Sequence, residues 1–302
     1  MSSNLIASNI LYHDPRNEIP YEDIFKDQLM LNPAITTESC DGLEQSYGVI
    51  TDIGEAEERK VNKGVSSTKV ITKPEKAIVV KLEDVFKEDV ELYNNMPMAQ
   101  RNAELQRKIN SKIQNMPRTF SKRMVNPNLS KKLYSQIPLA ALADEAKFNF
   151  DCGGSGDTIS AYLINLDSEY GLKWLISRQT PLIQTGAMTM REVEDADGNE
   201  FEAYHMRLKM ALGIKRGSTH AVKRIKGIKT DGSNASTFIT KFKEAVDSDE
   251  IGGTNVLICN AATRRYLESM ITEIPLTNGG VSTIVERVDG VDIWLNNAIA
   301  ND

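Results

Sequence analysis

Residues 151–166 read Asp-Cys-Gly-Gly-Ser-Gly-Asp-Thr-Ile-Ser-Ala-Tyr-Leu-Ile-Asn-Leu, a glycine-rich connector followed at once by an apolar run. The run 159–166 has the length of a strand, so it predicts a buried β-strand. Residues 171–177 form a second short apolar segment after a turn, and we expect the two strands to be partners. The glycines resemble a phosphate cradle. A P-loop, however, requires a following helix and a Lys-Ser/Thr pair, so we interpret them as a connector.

The segments after this pair predict a β-hairpin and a third strand. Residues 188–194 and 200–210 flank the turn sequence Asp-Ala-Asp-Gly-Asn at 195–199. This turn resembles the start of a calcium loop, but the twelfth position, where such a loop needs a glutamate, is Met206. We therefore predict a tight turn. Residues 219–228 alternate apolar with basic side chains and predict the third strand.

The C-terminal residues predict an α/β pattern that closes with a hairpin. The predicted elements are a helix over 236–246, a buried strand over 255–260, a helix over 263–271 and a hairpin over 283–295.

Upstream of the connector, the sequence predicts an arm and a ribbon. Prolines punctuate residues 1–36, which are interpreted as an extended arm that cannot bury itself. Residues 45–80 alternate without a helical period and predict a long β-ribbon with a polar tip. Because two strands alone bury little surface, this ribbon needs a neighbour to lie on.

A long helix is predicted after the ribbon. Residues 78–116 carry apolar side chains at three- and four-residue spacing, which predicts one helix kinked near Pro97 or two successive helices. Asn95 is the expected cap of the second part. Residues 117–157 contain several prolines and glycines and are expected to be rich in loops.

The composition excludes several classes of protein. The chain has 302 residues, 40% of them hydrophobic, and a formal net charge of −6. It lacks an apolar stretch long enough to span a membrane and a secretory signal. Its three cysteines lie far apart in the sequence, which favours a reducing compartment and gives no metal-ligand spacing. We expect no cofactor, no metal and no membrane partner.

Catalytic chemistry also has little support. His13, His205 and His220 are the only histidines, and no nucleophile motif accompanies them. The carboxylates form no acid pair on an apolar background that would raise a pKa. We therefore do not expect an enzyme.

The charges are strongly segregated along the chain. Residues 22–58 contain ten acids and one base, whereas residues 105–143 and residues 203–230 each contain eight bases and no acid. Two interpretations remain: solvated faces of a monomer, or complementary contacts with other copies or with a polyanion. The basic strands lack the interleaved aromatics of single-strand nucleic-acid binders, so only weak, non-specific contact with DNA is expected.

The order of these segments resembles the major capsid proteins of tailed bacteriophages with the Hong Kong 97-like fold. The resemblance covers about residues 45–300 and is strongest over 151–230, from the glycine-rich connector to the strand Val-Lys-Arg-Ile-Lys-Gly-Ile at 222–228. Residues 59–69 resemble the tip of the family's extended loop, the following helix its spine helix, and residues 256–267 a strand and helix of its axial domain. The terminal hairpin at 288–294 matches in order as well. Trp174-Leu-Ile-Ser177 and Asn296-Asn-Ala298 depart from the usual pattern.

The resemblance implies a mixed α+β fold in four parts. These are an N-terminal arm (1–44), an extended β-ribbon loop (45–80), a peripheral domain with the spine helix and β-strands (81–230) and an axial domain with the closing hairpin (231–302). It also implies a structural protein of the virion capsid, assembled in the bacterial host cytoplasm. Hexamers and pentamers would form an icosahedral shell around double-stranded DNA, with a separate scaffolding protein, a portal and a decoration protein as further partners.

Three sets of residues are implied as inter-subunit contacts. They are Glu55, Glu57, Glu58, Arg59, Lys60, Lys63 and Lys69 in the extended loop; Arg107, Lys108 and Lys112 on the helix; and Tyr12, Ile24 and Phe25 in the arm.

Two other functions stay open at this point. A cellular shell protein of the same fold, similar to the encapsulins, would enclose a cargo enzyme instead of DNA. An enzyme with an unrecognised site would depend on His205 or His220.

Overall fold

The computed structural model describes residues 35–54, 58–65, 69–126, 139–248, 255–268, 287–296 and 299. Thirteen strands lie in these ranges: β1 (Thr37–Cys40), β2 (Glu44–Ile53), β3 (Val70–Asp89), β4 (Asn149–Asp151), β5 (Thr158–Asn165), β6 (Leu172–Ser177), β7 (Ile183–Thr185), β8 (Thr189–Glu194), β9 (Glu200–Arg216), β10 (Val222–Lys229), β11 (Asn255–Cys259), β12 (Arg287–Val288) and β13 (Val291–Leu295). The α-helices in the same ranges are α1 (Met98–Val125), α2 (Leu139–Ala146), α3 (Ala235–Asp247) and α4 (Ala261–Glu268). Single 3-10 turns cover Glu91–Tyr93 and Thr219–Ala221.

A seven-stranded sheet contains the ribbon. Its strands follow the order β1-β6-β9-β3-β2, and β7 and β8 pair with β9 beyond the end of β6. The β1–β6 pair is parallel and the other pairs are antiparallel. The predicted ribbon is confirmed, because β2 pairs with the first half of β3 from Glu44↔Ile78 to Ile53↔Val70. β3 then continues across the predicted domain boundary at residue 80 without a break.

The predicted helix over 78–96 is wrong, because most of this segment is the second half of β3. Eleven consecutive residues, Val79 to Asp89, pair with β9. Phe86 is buried while Val85 and Lys87 face outward, which is the alternation of a strand. The apolar spacing in this segment fits both the period of a helix and that of a strand. The long run of backbone hydrogen bonds with β9 makes it a strand.

The second part of the predicted helix is confirmed as α1. It begins after Pro97, which occupies the N-cap position without a side-chain hydrogen bond, so the expected cap at Asn95 is wrong. α1 continues through Pro117 to Val125 and buries one stripe along its length, which includes Leu105, Ile113 and Phe120. The loops expected over 117–157 are therefore partly replaced by α1, α2 and β4.

A six-stranded sheet forms the second layer, in the order β12-β13-β11-β5-β10-β4. All eight residues of β5 are buried, as its sequence predicts. The expected pairing of β5 with β6 is wrong, because β5 pairs with β10 and β11 while β6 belongs to the other sheet. Between them, Asp167 Oδ1 accepts the backbone N–H groups of Glu169 and Tyr170 at 2.7 and 2.9 Å, which forms a turn that carries the chain from one sheet to the other.

The remaining sequence predictions agree with the structure to within a few residues where it describes them. The β8–β9 hairpin, α3, β11 and α4 are all present. In the hairpin turn, Asp195 Oδ1 accepts the N–H groups of Asp197 and Asn199 at 2.9 and 2.8 Å, so this carboxylate stabilises its own turn. The closing hairpin is present as β12 and β13, joined by Asp289 and Gly290, and residues 283–286 of the predicted hairpin lie outside the described residues.

Cys40, Cys152 and Cys259 are free and buried. In the described residues no group of three or more His, Cys, Asp or Glu lies close enough to hold a metal ion. No helix in the same ranges is long and apolar enough to cross a membrane.

The loop at Gly217 gives a first test of the packing. A Cβ atom at Gly217 would lie 1.9 Å from Glu169 O and 2.8 Å from Tyr170 Cα, and because both are backbone atoms the loop itself would have to shift. We expect Gly217→Ala to lower the free energy of unfolding by about 1–3 kcal/mol, as overpacking usually does. Gly42→Ala is the matched control, since no atom lies within 4 Å of the added Cβ. Equal urea-denaturation midpoints for the two variants would contradict this packing.

Candidate inter-subunit surfaces

The distal half of the ribbon extends away from the body of the subunit. The last backbone contact of β2 with the body is the hydrogen bond from Ile50 N to Gly217 O at 3.0 Å. Beyond it Ile53, Val70 and Ile71 are exposed, and Val61 is 90% exposed. Isolated two-stranded ribbons are marginal in water, and clustered exposed apolar side chains mark contact sites. The ribbon tip therefore has the properties of a surface that another chain covers.

The predicted loop residues occupy this tip where they are described. Glu58, Arg59, Lys60, Lys63 and Lys69 are all exposed and form no ion pair that the structure describes. The N–H of Lys63 donates to Lys60 O at 3.1 Å, so the chain turns here. Glu55 and Glu57 lie outside the described residues.

The predicted helix residues behave differently from one another. Lys108 Nζ donates to Glu88 Oε2 at 2.8 Å, and this hydrogen bond raises the pKa of Lys108. Lys112 Nζ donates to Asp84 Oδ1 at 3.1 Å and to Val85 O at 2.7 Å. Both lysines therefore attach α1 to β3 of the same chain. These contacts do not test the predicted contact with another subunit.

Arg107 is the exposed member of this set. Its side chain is 73% exposed and pairs with Glu104 one turn earlier on the helix. Exposed pairs of this kind contribute little to stability. Of the three predicted helix cations, Arg107 alone extends away from β3.

One buried ion pair attaches the ribbon to the body. Arg216 on β9 is 2% exposed, and its Nε donates to Glu75 Oε2 on β3 at 3.0 Å, while its Nη2 donates to Glu75 Oε1. Its Nη1 donates to Leu142 O of α2 at 2.8 Å. The pair spans the fork where β3 parts from β9, since the register between these strands ends at Val79↔Gly213. It therefore fixes the direction in which the ribbon leaves the sheet.

Tyr47 of β2 extends this network. Its hydroxyl donates to Glu75 Oε2 at 3.4 Å, and Lys215 Nζ lies 4.8 Å from the centre of its ring. Burial raises the pKa of Tyr47 to about 12, so the hydroxyl stays a donor at neutral pH. Both strands of the ribbon are thus connected to β9 through Glu75.

A second charged cluster anchors β1 to the sheet. Glu38 accepts hydrogen bonds from Lys215 Nζ and, at 3.1 Å, from Gln45 Nε2, and Lys173 Nζ lies 3.8 Å from its other oxygen. Burial alone would raise the pKa of Glu38, but the hydrogen bonds and the two lysines outweigh it and lower the pKa. The C-terminal part of the predicted arm (1–44) is therefore fixed at the sheet edge. Tyr12, Ile24 and Phe25 of the arm lie outside the described residues.

Glu75, Arg216 and Glu38 are not among the predicted site residues. A signal for Arg216 exists in the sequence, since Leu208, Met210, Leu212 and Ile214 form the inward face of β9 and Arg216 continues their two-residue period. Lys223 on β10 is likewise buried, and its Nζ donates to Ala245 O at 2.8 Å near the C-terminus of α3. Part of the basic stretch 203–230 is therefore internal.

Comparison with known proteins gives a family and a fold. A family model for major capsid protein GP7 matches residues 22–293. A cryo-EM structure of bacteriophage Epsilon15 is similar with a TM-score of 0.59 and 20% identity, over 90% of this chain and 87% of that chain. The capsid of bacteriophage JBD30 decorated with minor capsid protein trimers has a TM-score of 0.48 and 10% identity, over 94% of this chain and 97% of that chain. No curated protein matches.

The buried ion pair predicts a large effect of a small substitution. Glu75→Gln leaves the Arg216 charge buried without its counter-ion, so we expect a loss of about 3 kcal/mol in the free energy of unfolding by urea denaturation. Glu104→Gln, which removes the exposed partner of Arg107, is the matched control and should lower the free energy of unfolding far less, because exposed ion pairs contribute little to stability. If Glu75→Gln lowers the free energy of unfolding no more than the control does, the Glu75–Arg216 pair does not stabilise the point where β3 separates from β9.

The Glu38 cluster predicts a pH dependence. Because the folded-state pKa of Glu38 lies below its ordinary 4.5, this carboxylate stabilises the protein above that pH, and its contribution is lost as the pH falls through the lowered pKa. Glu38→Gln should therefore melt below the wild type at neutral pH, and the two melting temperatures should converge once the pH has fallen below the lowered pKa of Glu38. Glu44→Gln, at an exposed carboxylate of β2, is the control, and a constant gap for Glu38→Gln at all pH values would refute this role.

Proposed function

The chain belongs to the major capsid protein GP7 family, and on that premise we propose that its copies assemble as hexamers and pentamers into an icosahedral phage shell around double-stranded DNA. The protein is thus a phage major capsid protein, a component of the virion capsid. The likeness to the Epsilon15 structure confirms the predicted mixed α+β fold of Hong Kong 97 type. The family is a structural one, and the proposal assigns no catalytic step to the chain.

The observation that carries this proposal is the ribbon. Its distal half exposes Ile53, Val61, Val70 and Ile71, and within the described residues nothing covers them. A subunit that exposes an apolar element of this size gains stability when a second copy supplies the missing surface. The contact is heterologous, since the ribbon of one copy meets a different surface of the next, and heterologous contacts close into rings.

Further partners follow from the same proposal. A closed shell that takes up DNA needs one vertex that differs from the others, which is the place of a portal. Control of shell size during assembly in the bacterial cytoplasm is the role of a scaffolding protein, and a decoration protein would bind the finished shell. The domain limits of residues 1–44, 45–80, 81–230 and 231–302 remain part of the proposal.

An encapsulin-like compartment is not favoured, because the family model that matches nearly the whole chain is that of a phage capsid protein. Purified particles distinguish the two functions by their contents. Packaged nucleic acid supports a phage head, and a co-purifying enzyme supports a cargo compartment.

Removal of the ribbon tip tests the proposal. Replacement of residues 54–69 by Asn-Gly joins Ile53 to Val70, which are already cross-strand partners, through a two-residue hairpin turn. Because the body keeps the β3–β9 ladder, we expect a folded subunit that forms no rings or shells by negative-stain electron microscopy. The same Asn-Gly replacement of the exposed turn 195–199 is the matched control and should leave assembly intact. Normal shells from the ribbon-deleted chain would overturn the role of the ribbon.

A further inference from the structure

His205 is a buried histidine on the outward face of the seven-stranded sheet. It lies on β9 and is 7% exposed. In the sheet it stands opposite Lys87 of β3 on one side and Thr189 of β8 on the other. Because strand residues two apart point to the same side, Arg207 shares this face with His205. The proposed capsid function assigns no role to this histidine.

Arg191 of β8 fixes the protonation state of His205. Its Nη2 is in hydrogen-bond contact with Nε2 of the imidazole. A guanidinium keeps its protons and can only donate, so Nε2 of His205 accepts. The imidazole is therefore neutral and carries its one proton on Nδ1. This hydrogen bond joins the side chains of β8 and β9.

Lys87 of β3 forms a second side-chain link to β8. Its Nζ donates to Glu194 O and lies 4.7 Å from the centre of the Phe201 ring on β9. The side chain of Lys87 thus crosses β9 on the outward face. It adds a second positive charge to the side of the sheet on which His205 lies.

The carboxylates of β3 on this face have partners other than the imidazole. Asp89 Oδ1 accepts the backbone N–H of Glu91 at 2.8 Å. Glu83 Oε1 lies 3.7 Å from Arg207 Nη1. The charged groups that face the imidazole are therefore mainly cations.

This environment makes a second proton on His205 unfavourable. Burial is the largest cause that lowers the pKa of His205 below its ordinary 6.5, and the charges of Arg191, Arg207 and Lys87 lower it further. The neutral imidazole therefore stabilises the closed arrangement above pH 6.5, and this contribution is lost as the pH falls through the lowered pKa.

β8 is weakly attached to the described part of the subunit. It is an edge strand that pairs with β9 in the described sheet, and five of its six residues are exposed. An element with few buried apolar contacts opens at a low free energy. The links through Arg191 and Lys87 therefore matter for the closed state of β8.

We propose that His205 is an acid-operated latch for β8. A proton on Nε2 occupies the lone pair that accepts from Arg191, and the imidazolium then stands beside the guanidinium as a second cation. Because the hydrogen bond is lost and like charges repel, β8 separates from β9, and the edge of β9 from Glu200 to His205 becomes available to another strand. The latch goes beyond the proposed function and does not depend on it, since all its groups belong to one subunit.

Hydrogen exchange of the full-length chain, measured by mass spectrometry on peptides, tests the latch. Exchange is expressed as a protection factor, so that the ordinary pH dependence of amide exchange cancels. We expect the protection factor of 189–194 to fall several-fold from about pH 7.5 to about pH 5 in the wild type, while that of α3 stays constant. A protection factor of β8 that does not change over this range would overturn the latch.

Two substitutions identify the titrating group. His205→Gln offers Arg191 an amide oxygen that takes up no proton, so β8 should stay protected at both pH values. His220→Gln, at the other described histidine, is the matched control and should keep the fall seen in the wild type. An equal fall in His205→Gln and the wild type would assign the effect to another group and refute the proposal.

Arg191→Gln removes a charge but keeps a donor for Nε2 of His205. Because one of the cations that oppose protonation is gone, the protection factor of β8 should fall less than in the wild type. This variant also decides the case in which His205→Gln is unprotected already at about pH 7.5, since an unchanged fall in Arg191→Gln rules the latch out. A failure to form shells at neutral pH bears on the proposed function alone, because the exchange measurement needs only the folded subunit.

Discussion

Strand β3 is the constraint on which the rest of the subunit depends, because one unbroken segment belongs to two structures. Its first nine residues pair with β2 and form the ribbon, and its last eleven pair with β9 at the centre of the sheet. The ribbon therefore has no flexible joint in its own backbone along β3. Its direction follows from the body, and the Glu75–Arg216 pair sets it at the point where β3 leaves β9.

Local sequence signals predicted much of the fold. They failed where pairing between segments far apart in the sequence determines the structure. The β8–β9 hairpin, α3 and β11 were predictable because turn residues and period agree within each segment. The segment 78–89 was misassigned because its apolar positions satisfy both a helix and a strand, and its pairing with β9, over a hundred residues away, decides the outcome. The separation of β5 and β6 into different sheets has the same origin, since neither sequence specifies a partner.

The charge pattern indicated contact surfaces without separating internal from external roles. Eight bases in the stretch 203–230 look alike in sequence, yet Arg216 and Lys223 are buried with partners, whereas Arg207 and Lys209 face solvent. The two-residue period of β9 could have separated Arg216 from Arg207, because inward and outward positions alternate. Glu75 could not have been found in this way, since its partner lies 141 residues further along the chain. The net charge of −6 is small because the acidic and basic segments largely cancel in the sum over the chain.

The shared strand also has a mechanical consequence. A neighbouring subunit that pulls on the ribbon tip transmits the force along β3, parallel to the strand and perpendicular to its hydrogen bonds with β9. In this geometry the hydrogen bonds from Val79 to Asp89 are loaded in shear and share the force. They would have to break together and not one after another from the end of the strand. In the proposed assembly, the subunit would therefore resist tension in the plane of the shell through the strand that carries the ribbon.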